Sequence, residues 1–388
     1  MKLLLVSPSH IRGGVETYAL KIAAAAASRG WQAAAAFPRL SETLALSADF
    51  LKAGVEYYPL DIMDEGAEKR TVRGHFLRFF RTLALLCRFR PDVVQINVPW
   101  QEKGISSIVA CGVLRIPTQV VFHLAPAPFP TGRGFRKLGL WAKGRAQDWV
   151  AVSRHNRNMV AASYGIDPAT IEVVYNGIRL PENKGSALER EALRSRVRAE
   201  LGLSRNHRVL LTVGRLNRQK GYHELADVAL QLCRRHPDVR FLWAGDGDLR
   251  DSLVDLLARG GVAQQVLMLG HRDDVPSLLR ASDLFVFPSH FEGFPFALLE
   301  AMAYGVPVVA SEACGISELV EPGVHGLLCG IGDRNGLFEA LEWALEHPVA
   351  MRRMAGNALV RVQGFSEENM LNTTLARLAN LGTQATNG

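Results

Sequence analysis

DLFVFPSHFEGFPFALLEAMAYGVPVVAS, residues 283–311, reads as one strand–helix–strand unit. The run DLFVF is short and apolar and stops at Pro288, the turn after it presents Glu292 and Gly293, and Pro295 suits the first helical position, where a missing N–H leaves no bond unmade. FALLEAMAYG then keeps helical spacing as far as Gly305, and PVVAS returns as a second β-rich run. A strand that enters a helix in this way aims the helix N-terminus out of the top of a parallel sheet. The unpaired N–H groups and the positive dipole end there suit an anion such as phosphate. Glu292 lies in the loop before the helix and Glu300 about two turns into it, so both carboxylates can flank one bound ligand. The same residues also suit plainer roles, Glu300 as a surface residue and Glu292 as a complement to the dipole.

Outward from this unit the alternation continues. RVLLTVG (208–214), VRFLWAG (239–245) and QVLMLG (265–270) precede it and GLLC (326–329) follows it, each separated by helical stretches. In the first half, KLLLVSP runs to a Gly13-Gly14 turn and a helix that stops at Gly30; PDVVQIN (91–97), TQVVFHL (118–124) and DWVAVS (148–153) repeat the strand pattern. VVYNGIRLPENKGS (173–186) has the composition of a linker. The expected fold is α/β, with two Rossmann-like doubly wound domains facing each other across a cleft: residues 1–178, a linker at 179–186, and residues 187–364. A C-terminal helix near 365–388 is expected to pack back on the first domain.

Composition agrees with a chain that buries large cores: 388 residues, 48% hydrophobic and 21% charged, too apolar for disorder. No apolar run reaches the roughly 18 residues needed to cross a bilayer, and the apolar start of MKLLLVSPSHIRGG is too short for a signal peptide, so a cytoplasmic protein is expected. Cys87, Cys111, Cys233, Cys314 and Cys329 form no C-x-x-C pair and support neither a disulfide framework nor a zinc site.

Net charge is +7, and it is unevenly spread: residues 1–180 carry 23 Lys+Arg against 13 Asp+Glu. Much of the excess lies in EKRTVRGHFLRFFRTLALLCRFR (68–90), where helical projection sets Arg70, Arg73, Arg78, Arg81 and Arg88 on one side and Phe79, Phe80, Leu83 and Leu86 on the other; GRGFRKLGLWAKGR (132–145) adds to it. Such segments lie in an anionic membrane interface or serve as surface helices with a solvated arginine face. No nucleic-acid-binding motif accompanies them, so nucleic acid is not an expected partner.

Further candidates sit at strand ends. Arg215 and Lys220, five residues apart in VGRLNRQKG (213–221), can both reach one diphosphate, Arg215 by its fork and Lys220 as a point charge, although a solvated turn would read the same. His123 closes VVFH, where a lone histidine is either a satisfied core residue or a site residue. Asp246-Gly-Asp248 imitates a metal-binding D-x-D, but its G-D-G-D context is that of a turn, and no metal is expected. Gly13-Gly14 lacks the full G-x-G-x-x-G of a dinucleotide oxidoreductase.

The chain resembles the retaining glycosyltransferase family 4 of the GT-B fold. The resemblance rests on the E-x7-E pattern from Glu292 to Glu300 in EGFPFALLEAM followed by GVPVVAS, with Gly13-Gly14, VGRLNRQKG, AGDGDLR (244–250), LGHRDDVPSLLRASDLFVFPS (269–289) and GISELVEPGVHGLLC (315–329) in order. It is specific over roughly 210–330 and thin before residue 180. It implies that Arg215 and Lys220 neutralise the leaving diphosphate of a nucleotide sugar, that Glu292 contacts the donor sugar, and that Glu300 holds the ribose hydroxyls. Backbone N–H groups of Gly293, Phe294, Phe296 and Leu298 meet sugar and phosphate, Gly14 approaches the phosphate from the other domain, and Arg272 belongs to the base-binding turn. His123 lies near the sugar's 6-position or the reaction centre. The family's usual H-D reads His123-Leu124 here, and Gln95 and Asn97 stand where histidines are frequent. The implied activity is metal-independent, cofactor-free hexosyl transfer with retention, by front-face attack of the acceptor hydroxyl. The acceptor would be a glycan or lipid-linked molecule of cell-surface polysaccharide or lipopolysaccharide biosynthesis. Two rival readings use the same scaffold: a nucleotide-sugar epimerase, and a non-catalytic carbohydrate-binding protein at a membrane surface.

Overall fold

The structure is a computed structural model that describes residues 1–9, 13–38, 40, 44–63, 71–130, 132–181 and 186–384. The chain divides into two units, and each carries one all-parallel sheet. The first unit comprises Met1–Asn176 and the last helix of the chain; the second comprises Gly177–Ser366.

In the first unit the order is β1 (Lys2–Val6), α1 (Gly14–Ser28), β2 (Gln32–Phe37), α2 (Leu44–Lys52), β3 (Glu56–Pro59), α3 (Val72–Phe89), β4 (Val93–Val98), α4 (Ile105–Leu114), β5 (Thr118–Phe122), α5 (Arg133–Lys143), β6 (Gln147–Ala151), α6 (Arg154–Tyr164) and β7 (Glu172–Val173). The sheet runs β3-β2-β1-β4-β5-β6-β7, so the chain winds outward from β1 and then crosses back to its other side at β4. Three of these strands are absent from the runs read in the sequence. β2 is QAAAAF, a string of helix formers buried from Ala33 to Phe37 between two strands, where tertiary packing overrides propensity. β3 and β7 are short strands at the two sheet edges.

α3 corrects the expected arrangement of the basic segment. Thr71 caps it by accepting from the Gly74 N–H, and its inward stripe is Arg78, Thr82, Leu85, Leu86 and Phe89. Arg78, expected at the surface, is therefore buried, with Nη1 donating to the Met63 carbonyl at 3.1 Å. Arg81 pairs with Asp61 at 2.7 Å; of the five arginines projected on one side, Arg73 and Arg88 stand exposed and Arg70 lies outside the described residues. The solvent face carries Val72, Phe76, Leu77 and Phe80, each more than half exposed, so Phe80 is on the side expected for arginine. α3 packs beside α4 and α4 beside α5, and the same helical layer exposes Val113, Leu114, Leu138 and Trp141.

The second unit has α7 (Ala187–Glu200), β8 (Arg208–Val213), α8 (Tyr222–Arg235), β9 (Val239–Ala244), α9 (Arg250–Arg259), β10 (Val266–Gly270), α10 (Val275–Ala281), β11 (Leu284–Phe287), α11 (Phe296–Ala303), β12 (Val308–Ser311), α12 (Ile316–Leu319), β13 (Leu327–Cys329), α13 (Arg334–Glu346) and α14 (Pro348–Val362). Its sheet order is β10-β9-β8-β11-β12-β13. The strand interiors are apolar, as a sheet covered on both faces requires, with Leu210, Leu211, Phe241, Leu242, Phe285 and Val286 fully buried. α7 opens with a capping box between Ser186 and Glu189, and its Arg194 and Arg198 grip Asp283 at the foot of β11.

α15 (Glu367–Gln384) follows the second unit in sequence and belongs to the first, lying against α1, β4 and β5. Lys21 pairs with Glu367, and Arg377 holds Asp148 with two hydrogen bonds of 2.8 and 2.9 Å. Among the described residues no helix is long and apolar enough to cross a membrane.

Candidate active site

In a doubly wound sheet the crevice opens where the strand order reverses, beyond the strand carboxyl ends. In the second unit that point lies between β8 and β11. The loop leaving β8 carries Arg215 and Lys220, and the loop leaving β11 carries Glu292.

Local chemistry locks these two loops together. The Asn217 side chain accepts from the Lys220 N–H and caps a single 3-10 turn, Arg218–Lys220. Gly221 follows at φ +71, where a Cβ would stand 2.0 Å from the Pro288 carbonyl oxygen, so only glycine permits both the turn and the approach. The His290 N–H donates to the Gln219 carbonyl at 2.8 Å, and Gln219 Nε2 donates to the Phe291 carbonyl at 3.1 Å. On the far side Gly315 packs against Gly293, its N–H donating to the Glu292 carbonyl at 3.2 Å.

The result is a close ion pair. Lys220 Nζ lies 2.5 Å from Glu292 Oε1, with both side chains largely withdrawn from solvent, and the ammonium sits 4.9 Å from the Phe287 ring centroid. The sequence reading gives these two residues separate tasks; the fold makes them partners. Arg215, half-buried on the same loop, makes no ion pair with a described carboxylate.

α11 begins at Phe296, with Pro295 as an extended N-cap, one residue later than its expected start at Pro295. The N–H groups of Phe296, Ala297 and Leu298 therefore lack intrahelical acceptors. Phe294 and Leu298 are buried by their side chains, Phe294 with its ring 5.1 Å from Phe365, so only their backbone can serve a ligand. Glu300 is half-buried in the second turn of α11.

Arg272 stands apart from this cluster, after the edge strand β10. Its Nε and Nη2 each donate to Asp274 at 2.6 Å, which raises the arginine pKa and holds the aspartate below its usual range. Its side chain is thus committed to a neighbour. Asp246 accepts from the Gly247 N–H at 2.9 Å, as a turn aspartate does, and no group of three or more His, Cys, Asp or Glu among the described residues is placed to hold a metal.

His123 and Gly14 lie in the first unit. Gly14 is the first residue of α1, after an extended Gly13. His123 follows β5 and is buried, which pushes its pKa down to about 3 and keeps the imidazole neutral. Its Nε2 is 3.0 Å from Asn97 Oδ1, and its ring meets the edge of Tyr18, one turn beyond Gly14, at 4.9 Å between centroids. Tyr18, Gln119 and Gln219 are absent from the sequence reading, which names Gln95 and Asn97 without linking them to His123. Gln219 was accessible through its place between two glycine-flanked basic residues; the others carry no motif.

Two parallel Rossmann-like sheets in separate units are the architecture of GT-B glycosyltransferase structures. Anabaena HepE, solved in complex with UDP and glucose, matches with a TM-score of 0.80 over 98% of this chain and 99% of that one, at 24% identity. Residues 194–360 match the family model for glycosyl transferases group 1, and residues 12–181 the model for Glycosyltransferase Family 4. A glycogen synthase of Mycobacterium tuberculosis is 34% identical over 299 residues, which cover 75% of this chain and 69% of that protein. The UDP-Gal:alpha-D-GlcNAc-diphosphoundecaprenol alpha-1,3-galactosyltransferase of Escherichia coli is 36% identical over 210 residues, and that match spans 53% of its length, about half. The chain belongs to glycosyltransferase family 4.

Proposed function

We propose that the protein is a retaining, metal-independent hexosyltransferase that moves a sugar from a nucleoside diphosphate to a hydroxyl of a glycan or lipid-linked acceptor, in the building of cell-surface glycans. It needs no cofactor beyond the donor. The observation that carries this reading is the Lys220–Glu292 pair, set at a strand-order switch point beside Arg215 and the first turn of α11. A diphosphate arriving there draws Lys220 from Glu292, and the released carboxylate accepts from the sugar's hydroxyls. As the bond from the anomeric carbon to the phosphate oxygen breaks, Arg215, Lys220 and the helix N-terminus take up the charge on the leaving group. The acceptor hydroxyl attacks the same face, and its proton passes to the departing phosphate oxygen. Glu300 holds the ribose, backbone groups of the turn at Arg272 read the base, and Gly14 and His123 serve from the first unit.

UDP-sugars are the donors to try first, since UDP or a UDP-sugar figures in the HepE complex and in the name of the E. coli relative. The enzyme is incubated with them, with and without a lipid-linked glycan, before and after exhaustive EDTA treatment, and the products and their anomeric configuration are read by NMR. Transfer with retention, unaffected by EDTA, is expected. An isomerised donor in the absence of acceptor would replace this reading by an epimerase. Loss with EDTA and recovery with Mg²⁺ would return Asp246 and Asp248 to the mechanism.

For the acceptor side we propose a cytoplasmic protein that docks peripherally on an anionic membrane. The supporting feature is the α3–α5 layer, where Val72, Phe76, Leu77 and Phe80 project among Arg73, Arg88 and the basic α5. The apolar residues enter the headgroup boundary and the cations meet lipid phosphates.

A further inference from the structure

A continuous chain of buried polar side chains crosses the first sheet and ends on His123. His123 Nε2 is 3.0 Å from Asn97 Oδ1; Asn97 Nδ2 is 3.3 Å from Gln95 Oε1; Gln95 Nε2 is 2.9 Å from Gln119 Oε1; and Gln119 Nε2 is 3.2 Å from Asp148 Oδ2. The strand register lines these up, with Gln95 opposite Gln119 and Gln119 opposite Asp148. Asn97, Gln95 and Gln119 are at most 1% exposed, so each must be satisfied within the protein. At the far end Arg377 of α15 clasps Asp148 through both carboxylate oxygens.

Carboxamides can point either way, but the ends of this chain cannot. A guanidinium only donates and an ionised carboxylate only accepts. Gln119 must therefore turn its NH₂ to Asp148 and its oxygen to Gln95. Gln95 must turn its oxygen to Asn97, and Asn97 its oxygen to His123. The Tyr18 hydroxyl, which reaches Gln95 and Thr374, can donate or accept and imposes no sense of its own. Every donor then points from His123 toward Asp148, and the imidazole carries its proton on Nε2.

We propose that Asp148, held by Arg377 of the C-terminal helix, is a positioning residue that sets the tautomer of His123 through four hydrogen bonds, with Nε2 as the ring's donor and Nδ1 as its acceptor. The expected effect on transfer rests on the functional reading above; the tautomer does not. Burial keeps the ring neutral at working pH, so the choice of tautomer is a real one there.

The test is ¹⁵N NMR of the histidine rings in the full chain, with His123 assigned by its loss in H123Q. The wild type should show a protonated Nε2 and an unprotonated Nδ1. In D148N the carboxamide has one oxygen for the two Arg377 donors that face it, Gln119 loses its obligatory acceptor, and the His123 tautomers should become mixed, with the Nδ1–H form gaining population. The double variant D148N/Q119E moves the acceptor-only carboxylate one position nearer and should restore the wild-type pattern. A wild-type His123 with its proton on Nδ1 overturns the proposal without any variant, as does a D148N protein whose Nε2–H form is populated as fully as in the wild type. Transfer should fall at least tenfold in D148N while UDP binding, made by the second unit, stays within twofold. Full transfer by a D148N enzyme with mixed His123 tautomers would sink the positioning role.

Discussion

The two units handle polar groups in opposite ways. In the second, strand interiors are largely hydrocarbon, and the buried ion pair of the candidate site, Lys220–Glu292, lies in loops beyond the strand ends. In the first, polarity runs through the sheet itself, as Gln95, Asn97, Gln119 and a neutral His123 bonded in series. A charge that must act on a ligand has to stay near solvent and keep a replaceable partner. A neutral group can be buried deep, provided that every donor finds an acceptor.

The largest effect is expected where charge is used. K220A should lower turnover by about 10²–10³, the scale for removing one preorganised group from developing charge, while Tm changes little once E292Q is added to remove the orphaned carboxylate. Stopped assays and thermal melts on the single and double variants measure both. Unchanged turnover at saturating donor would abolish the contrast between the units.

Acid should expose the other half of the comparison. The His123 pKa is lowered to about 3, so below pH 6.5 the unfolded chain takes up a proton on this ring that the folded protein refuses. Stability is then lost as pH falls from 6.5 toward about 3, by up to about 1.4 kcal/mol per unit. Urea titrations across that window should show a shallower loss in H123Q, and equal slopes would mean that the ring is not desolvated.

Glu292 and Glu300 should separate by binding. E300Q should weaken UDP and donor alike by about tenfold, the loss of one hydrogen bond to a charged group, whereas E292Q should leave UDP binding unchanged or tighter because Lys220 is freed, yet depress transfer. Calorimetry with UDP decides this, and equal losses reject the division of roles.

The smallest effect concerns the α3–α5 layer. The triple variant F76S/L77S/F80S should bind anionic vesicles several-fold less at every salt concentration, whereas R73E/R88E should lose binding that salt also removes, about 1 kcal/mol per arginine. Co-sedimentation without any preference for anionic vesicles in the parent protein ends the membrane proposal.

The sequence by itself determined the α/β class, the place of the second unit's strands, and Arg215, Lys220, Glu292 and Glu300 as the residues to examine. Arg215, Lys220 and Glu292 each sit beside a glycine, and Glu300 follows Glu292 by eight residues within one loop–helix run; such signals are local. Tertiary structure decided the rest. β2 is a strand because a four-alanine run fits between two neighbours, and nothing in QAAAAF announces it. Arg78 is buried because the Met63 carbonyl meets it, which reversed the face that helical projection assigned to solvent. Lys220 and Glu292 are 72 positions apart and become partners only when β11 lies beside β8. The series from His123 to Arg377 draws on three strands and the last helix, and no periodicity links residues so far apart in the chain. Local chemistry is written in neighbouring residues, whereas the partner of a buried polar group depends on which strands adjoin.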